Sequence, residues 1–318
     1  MRLEYQILIA LLLDLALGDP RWMPHPVRLI GNFAVALEAP LRRAIGSPRL
    51  AGLTAALLVI TVTAAVTWVV IRTAGLLHPW AGEALSVLIL YWSLAARDLA
   101  DHALDVRRAL SRGDLPAARK LVARMVGRDT AEMDETEVAR AAVESVAENT
   151  ADGVVAPLFF AVLAGPAGAM FYKAISTLDS TFGYRNERYR EFGWASAKID
   201  DIANYLPARL TAPLLMLAAL PVGGSARALR ICRRDGRRHA SPNAGLAEAA
   251  MAGALGIQLG GPVRRGGILQ DMPLLGAPAA LPEARDIGRA CVLMLATTVL
   301  AAGILLAARV GVTAWMTK

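Results

Sequence analysis

Residues Leu50–Ile71 read LAGLTAALLVITVTAAVTWVVI, 22 positions without a charged side chain. A helix of that length rises about 33 Å, enough to cross a hydrocarbon core of about 30 Å. A second uncharged run, Ala290–Ala308, covers 19 residues. Ala84–Ala96 is shorter and is bounded by Glu83 and Arg97; it can return the chain across a thin bilayer. Tyr5–Leu17 is an apolar start that holds Asp14. Its run breaks before any small-residue cleavage site, which favours a retained first helix over a removed signal peptide.

Composition agrees. Hydrophobic residues make up 55% of the 318 positions and charged residues only 19%. A soluble domain carries about 25% charge, and the mean hydropathy here is +0.43. Disorder, a disulfide scaffold and most soluble enzymes are excluded. The surplus of 34 Lys and Arg over 27 Asp and Glu reads as cytoplasmic loop charge. No basic stripe with interleaved aromatics is present, so no nucleic-acid partner is expected. Cys232 and Cys291 match no metal or redox spacing.

Two further apolar runs are interrupted. Gly153–Tyr172 holds Gly165-Pro166, and Leu210–Ala226 holds Pro213, Pro221 and Gly223-Gly224. Pro removes a backbone donor and kinks or stops a helix. Each run is either a kinked spanning helix or a re-entrant hairpin. The arginines favour hairpins over kinked spanning helices: Arg42, Arg43 and Arg49, the six between Arg227 and Arg238, Arg264 and Arg265, and Arg285 with Arg289 then all face the cytoplasm. The expectation is an all-α, polytopic integral membrane protein with about four to six membrane segments, some re-entrant, and amphipathic cytoplasmic helices. It reads as one integral membrane domain over 1–318 with a polar cytoplasmic helical insertion at about 97–152, in a bacterial inner membrane. Within the insertion, Asp98, Asp101 and Asp105 fall on adjacent turns, and Gly113-Asp114 marks a turn before Pro116 opens the next helix.

The chemistry concentrates in four stretches. Glu144, Glu148 and Asp152 are spaced i, i+4, i+8, so a helix stacks three carboxylates on one face, with Asn149 between. Like charges at that spacing repel unless cations neutralise them, and Mg²⁺ takes one or two carboxylates plus substrate phosphates. The alternative is a solvated acidic face. Lys173–Arg209 carries Lys173, Asp179, Tyr184, Arg185, Lys198 and Asp200, a set of cations for phosphate, carboxylates for metal and a flat ring. An amphipathic surface helix with snorkelling cations explains it equally well. Ser241 or Asn243 caps a helix of small residues that holds Glu248, an ionisable group in apolar surroundings and so a functional candidate. The Gly and Ala continuing to Gly260-Gly261 read as its close-packing positions. Near the start, Asp19, Arg21, His25 and Arg28 are the polar groups of a Pro-pinned turn; a lone His there is more often structural.

These stretches together resemble the membrane-bound adenosylcobinamide-phosphate synthases of cobalamin biosynthesis, the CbiB/CobD family. The resemblance rests on Gly-Asp-Pro…His-Pro-Val…Ile-Gly (18–31), Glu-Ser-Val-Ala-Glu-Asn-Thr-Ala-Asp-Gly-Val-Val-Ala-Pro-Leu (144–158), Tyr-Lys-Ala-Ile-Ser-Thr-Leu-Asp-Ser (172–180) and Ser-Pro-Asn-Ala-Gly (241–245). Four motifs in order cover nearly the whole chain. The chain departs from the family at Leu246, where Trp is common, and at Val263-Arg264-Arg265, where an aromatic is expected.

The resemblance implies an ATP-dependent amide ligase that joins the free propionate of adenosylcobyric acid to aminopropanol or its phosphate. ATP is then a substrate and Mg²⁺ the metal. Glu144, Glu148, Asp152, Lys173 and Asp179 become catalytic candidates. Asp19, His25, Arg28, Asn149, Tyr184, Arg185, Lys198, Asn243 and Glu248 become substrate- or nucleotide-binding candidates. The metal candidates are Glu148, Asp152, Asp179 and Asp200. The four stretches are expected to gather on the cytoplasmic side, with the bilayer, further copies of the chain or other late cobalamin-pathway membrane enzymes as partners. Two rivals come from other classes. A non-catalytic regulatory membrane protein should have lost the acidic and Lys/Asp motifs, which this chain keeps, and a transporter should show inverted repeats, of which none is convincing; both stand as the alternatives.

Overall fold

In the computed structural model, which describes residues 1–20, 22, 25–184, 186–277 and 280–316, helices dominate. Helix α1 (Leu3–Leu17) stops at Gly18, whose φ of 60° suits a residue without Cβ. Helix α2 (Pro26–Ala44) starts on His25 and carries Pro26 in its first turn. Helix α3 (Pro48–Leu77) follows Ser47, whose hydroxyl accepts the Leu50 N–H, and α4 (Pro79–Ser93) follows at once. His78 makes the corner: it ends α3, and its ring accepts the Trp80 N–H at 3.3 Å to cap α4. Glu83 therefore lies inside α4 rather than marking its start.

After α4 come α5 (Ala96–Ser111), α6 (Leu115–Val122), α7 (Glu135–Asn149), a π-helical turn (Thr150–Val155) and α8 (Ala156–Phe182). The turn before Pro116 is present: Gly113 takes φ +70° and Asp114 caps α6 by accepting the Ala117 N–H. Beyond them lie α9 (Trp194–Ala203), α10 (Tyr205–Ala218), α11 (Ser225–Asp235), α12 (Ala244–Leu255), strands β1 (Gln258–Arg265) and β2 (Ile268–Gly276), and α13 (Ala284–Met316). Among the described residues, three helical stretches are long and apolar enough to cross a bilayer: α3, the continuous run Glu135–Phe182, and α13. The chain is an all-α membrane protein whose one departure among the described residues is the β1–β2 hairpin. Gly266-Gly267, both at positive φ, form its tight turn, a pairing that favours hairpins over helix.

The chain divides into two compact units. The first comprises Met1–Ala95, Ala156–Tyr205 and Ile304–Lys318. Its core packs α2, α3, α8 and α9 around Ala51, Ala55, Ala56, Val59, Leu178, Phe182 and Phe192. The alanines let neighbours approach closely: a Cβ on Gly52 would sit 1.8 Å from the Phe192 carbonyl oxygen. The opposite face of α3 leaves Leu57, Val62, Val66, Trp68 and Val69 exposed, an apolar stripe suited to lipid.

Helix α8 is broken where the sequence places the break. Ala164 and Gly165 leave helical geometry, with Gly165 at φ 63°, and Pro166 opens the second limb. The limbs pack against each other: Phe160 stacks on Tyr172 with ring centroids 5.2 Å apart. Pro166 cannot donate to the Val162 carbonyl four residues earlier. Arg309 supplies the missing donor at 2.7 Å and also bonds Glu4 at 3.0 Å. The second expected hairpin takes another form. α10 ends in a short 3₁₀ turn (Leu220–Val222) with Gly223 at φ 66°, and α11 then packs along α12.

The second unit comprises Ala96–Val155 and Leu206–Gly303. The polar segment near 97–152 is thus part of a unit that also takes in α11, α12 and the hairpin. On α5 the acidic residues are matched locally, as Arg97–Asp101, His102–Asp98 and Arg108–Asp105. Helix α12 buries a face of Ala and Gly and stops at Gly256, φ 76°. Gly260 and Gly261 consequently lie in β1, not in a longer helix.

Candidate functional site

The acidic helix of the second unit is set by its cap. Asp134 accepts the Glu137 N–H at 2.7 Å and the Glu137 carboxylate accepts the Asp134 N–H at 2.9 Å, a reciprocal box that starts α7. The helix buries Val138, Ala142, Val143 and Val146, and so turns Glu144, Ser145 and Glu148 to one side. There they meet a cavity of about 140 Å³ that Arg128, His239, Glu248 and Arg265 also line.

Glu144 is committed to structure. One carboxylate oxygen accepts the Gly260 N–H at 2.7 Å and the other bonds Arg128, in an ion pair that is nearly buried on both sides. Gly260 has φ +78°, and a Cβ there would sit 2.0 Å from the Pro273 carbonyl oxygen, so the site needs glycine. The carboxylate–amide contact closes the hairpin onto α7.

Glu148, Glu248 and Arg265 differ. Their side chains form no hydrogen bond or ion pair among the described residues, yet all three line the cavity. Glu248 is only 7% exposed. A buried carboxylate without a partner is costly, which makes the cavity the candidate site. His239 accepts the Ser241 N–H at 3.0 Å through Nδ1, and burial pushes its imidazole below the ordinary range.

Other expected residues lie elsewhere. Asp152 falls in the π-helical turn that follows α7, and it is not among the cavity-lining residues. Asn149 donates back to the Ser145 carbonyl at 2.9 Å. Asn243 precedes α12 and accepts from Arg209 at 3.4 Å; the Ser241 hydroxyl takes the Asn243 and Ala244 amides.

The first unit holds the rest. Lys173 and Asp179 sit half-buried on the second limb of α8. Asp200 on α9 accepts from Asn204 at 3.0 Å, and Asn204 accepts from the Tyr172 hydroxyl at 2.8 Å. Lys198 pairs with Asp201 at 3.1 Å, and Tyr184 is exposed. His25 caps α2: Nδ1 accepts the Val27 N–H at 3.2 Å, and Nε2 lies 3.5 Å from Asp19. Arg28 is exposed in the first turn of α2. Arg21 and Arg185 lie outside the described residues. Among the described residues, no three His, Cys, Asp or Glu side chains are grouped to hold a metal ion.

Sequence reasoning missed Arg128, Arg265 and His239 as site residues. Arg265 was visible as loop charge and as part of a departure from the family pattern, and Arg128 and His239 carried no local signal.

A family model for CobD/Cbib protein matches residues 7–294. A protein named cobalamin biosynthesis protein CobD from Geobacter metallireducens is 54% identical over 256 residues, 80% of each chain. One of the same name from Pelobacter propionicus is 47% identical over 94% of this chain and 93% of its own. Cobalamin biosynthesis protein CbiB from Salmonella typhimurium is 44% identical over 95% of this chain and 96% of its own. No solved structure matches the chain. With the motif stretches in order, a family model over residues 7–294 and relatives this similar over 80% or more of their lengths, the chain belongs to the CobD/Cbib protein family.

Proposed function

We propose that the chain is a membrane-bound, ATP-dependent amide ligase of cobalamin biosynthesis, joining adenosylcobyric acid to aminopropanol or its O-phosphate on the cytoplasmic side. Family membership and the names of its relatives support the role in cobalamin biosynthesis. The observation that carries the site is the cavity lined by Glu148, Glu248 and Arg265, whose side chains form no hydrogen bond or ion pair among the described residues.

A cavity of about 140 Å³ is small beside the roughly 300 Å³ or more of a drug-sized ligand site. It suits the reacting ends of the substrates, not a whole corrinoid. A carboxylate is a poor acylating agent. Transfer of the ATP terminal phosphoryl group to it makes an acyl phosphate; the amine attacks, the amide bond forms and phosphate leaves. Arg265 and Arg128 can hold phosphate oxygens there. Glu148 and Glu248 can hold the ammonium group and accept the proton it must lose before attack. The same two carboxylates fit Mg²⁺, which keeps several waters and needs only one or two protein oxygens; when bound it offsets phosphate charge. Lys173 and Lys198 are the proposed phosphate contacts in the first unit, and Asp179 and Asp200 its proposed metal contacts.

The test is direct. Protein purified in detergent receives adenosylcobyric acid, aminopropanol phosphate and Mg-ATP, and amide product and ADP should form in equal amounts. Absence of both from folded protein would overturn the reading.

A further inference from the structure

Helix α11 carries more positive charge than its fold consumes. Arg227 closes the end of α12, donating to the Gly253 and Ala254 carbonyls at 2.5 and 3.0 Å. Arg234 and Arg238 flank the buried Asp235, and Arg234 also reaches the Gly276 carbonyl. Arg230, Arg233 and Arg237 remain. Their side chains are exposed and form no hydrogen bond or ion pair among the described residues.

Two of these share a stripe. Ala226, Leu229, Arg230 and Arg233 recur at helical spacing on α11, and with Arg234 they line an open depression of about 490 Å³, while Arg237 follows in the turn after the helix. The opposite stripe, Ala228, Ile231, Cys232 and Asp235, is buried. Gly253 makes that packing possible, since a Cβ there would lie 2.5 Å from the Ala228 Cα. The depression thus has an apolar floor and a guanidinium rim on a firmly seated helix. Just before α11, Leu217, Leu220 and Val222 are also exposed.

We infer that this face binds the headgroup of an anionic phospholipid. Arginine grips phosphate oxygens through paired N–H donors. The apolar floor and the exposed Leu220 and Val222 suit the adjoining glycerol and acyl carbons. Free phosphate would gain from the arginines but not from the leucines, so the combination selects a lipid. Clusters of Arg on amphipathic helices at a cytoplasmic surface meet anionic lipid in this way. The site is independent of the ligation chemistry.

Phosphatidylglycerol titrated into the detergent-purified protein should raise its melting temperature, whereas phosphatidylcholine and inorganic phosphate should not. An Arg230→Gln/Arg233→Gln pair should need roughly thirtyfold more phosphatidylglycerol for the same shift. The charge-keeping Arg230→Lys/Arg233→Lys pair should need less phosphatidylglycerol than the Gln pair but more than wild type, because lysine keeps the charge and loses the paired donors. On wild-type protein alone, the shift should shrink as salt rises. An unchanged lipid requirement in the Gln pair, a salt-insensitive shift, or an equal shift with inorganic phosphate would overturn the assignment.

Discussion

Phe160 and Tyr172 stack with ring centroids 5.2 Å apart and planes 16° from parallel. Along a straight helix, twelve residues would separate them by about 18 Å. The contact therefore requires the break at Ala164–Gly165 and makes the apolar run a pair of packed limbs. It also explains Arg309, whose guanidinium serves the Val162 carbonyl that Pro166 leaves without a donor. Arg309→Met should lower stability by about 1–3 kcal/mol, because a buried carbonyl and Glu4 both lose their partner. Thermal unfolding in detergent reads this, and an unchanged midpoint would remove Arg309 from the limb packing.

A turned-back α8 bears on which side of the membrane its following loop occupies. Glu187 is exposed in that loop, without a partner among the described residues. A Glu187→Cys protein, with Cys232 and Cys291 replaced, should react with an impermeant thiol reagent only after the membrane is opened. Labelling in intact cells would place the loop outside and contradict a cytoplasmic site.

Arg128 and Glu144 form a nearly buried pair, and Glu144 also holds the hairpin through Gly260. Removing one partner strands a charge, so Arg128→Met should cost about 3–5 kcal/mol. Adding Glu144→Gln should recover part of that loss, which a double-mutant cycle measures.

Asp235 supplies a pH prediction. Burial works to raise its pKa, but bonds from Arg234 and the Gly276 amide, with the charges of Arg234 and Arg238, bring it below the ordinary carboxylate value. Its contribution is complete above the unfolded value of about 3.9 and is lost as pH falls through the lower folded value. Asp235→Asn should therefore cost about 1–2 kcal/mol at pH near 7. Wild type and variant should converge in stability at more acid pH; a constant gap across the range would show that charge is not the cause.

Much of the architecture was legible because its signals are local. The uncharged runs gave the long helices, Gly113-Asp114 before Pro116 gave the start of α6, and Gly165-Pro166 gave the break in α8. The hairpin was harder. Gly266-Gly267 is a turn signal, but the small residues before it read equally well as helix packing. In the site, Glu144, Glu148 and Glu248 stood out as charges in apolar surroundings. Arg128, Arg265 and His239 join them only through the tertiary fold, which no spacing encodes. Asp152 follows Glu148 in a π-helical turn, which has no signature in residue spacing.

Turnover of Glu148→Gln and Glu248→Gln proteins tests most directly whether the cavity performs the ligation. Both changes keep side-chain volume and remove a charge that has no partner among the described residues, so folding should persist. With adenosylcobyric acid, aminopropanol phosphate and Mg-ATP, each variant should form amide about 10²–10⁴-fold more slowly than wild type. Wild-type turnover in both variants would contradict a ligase site in this cavity.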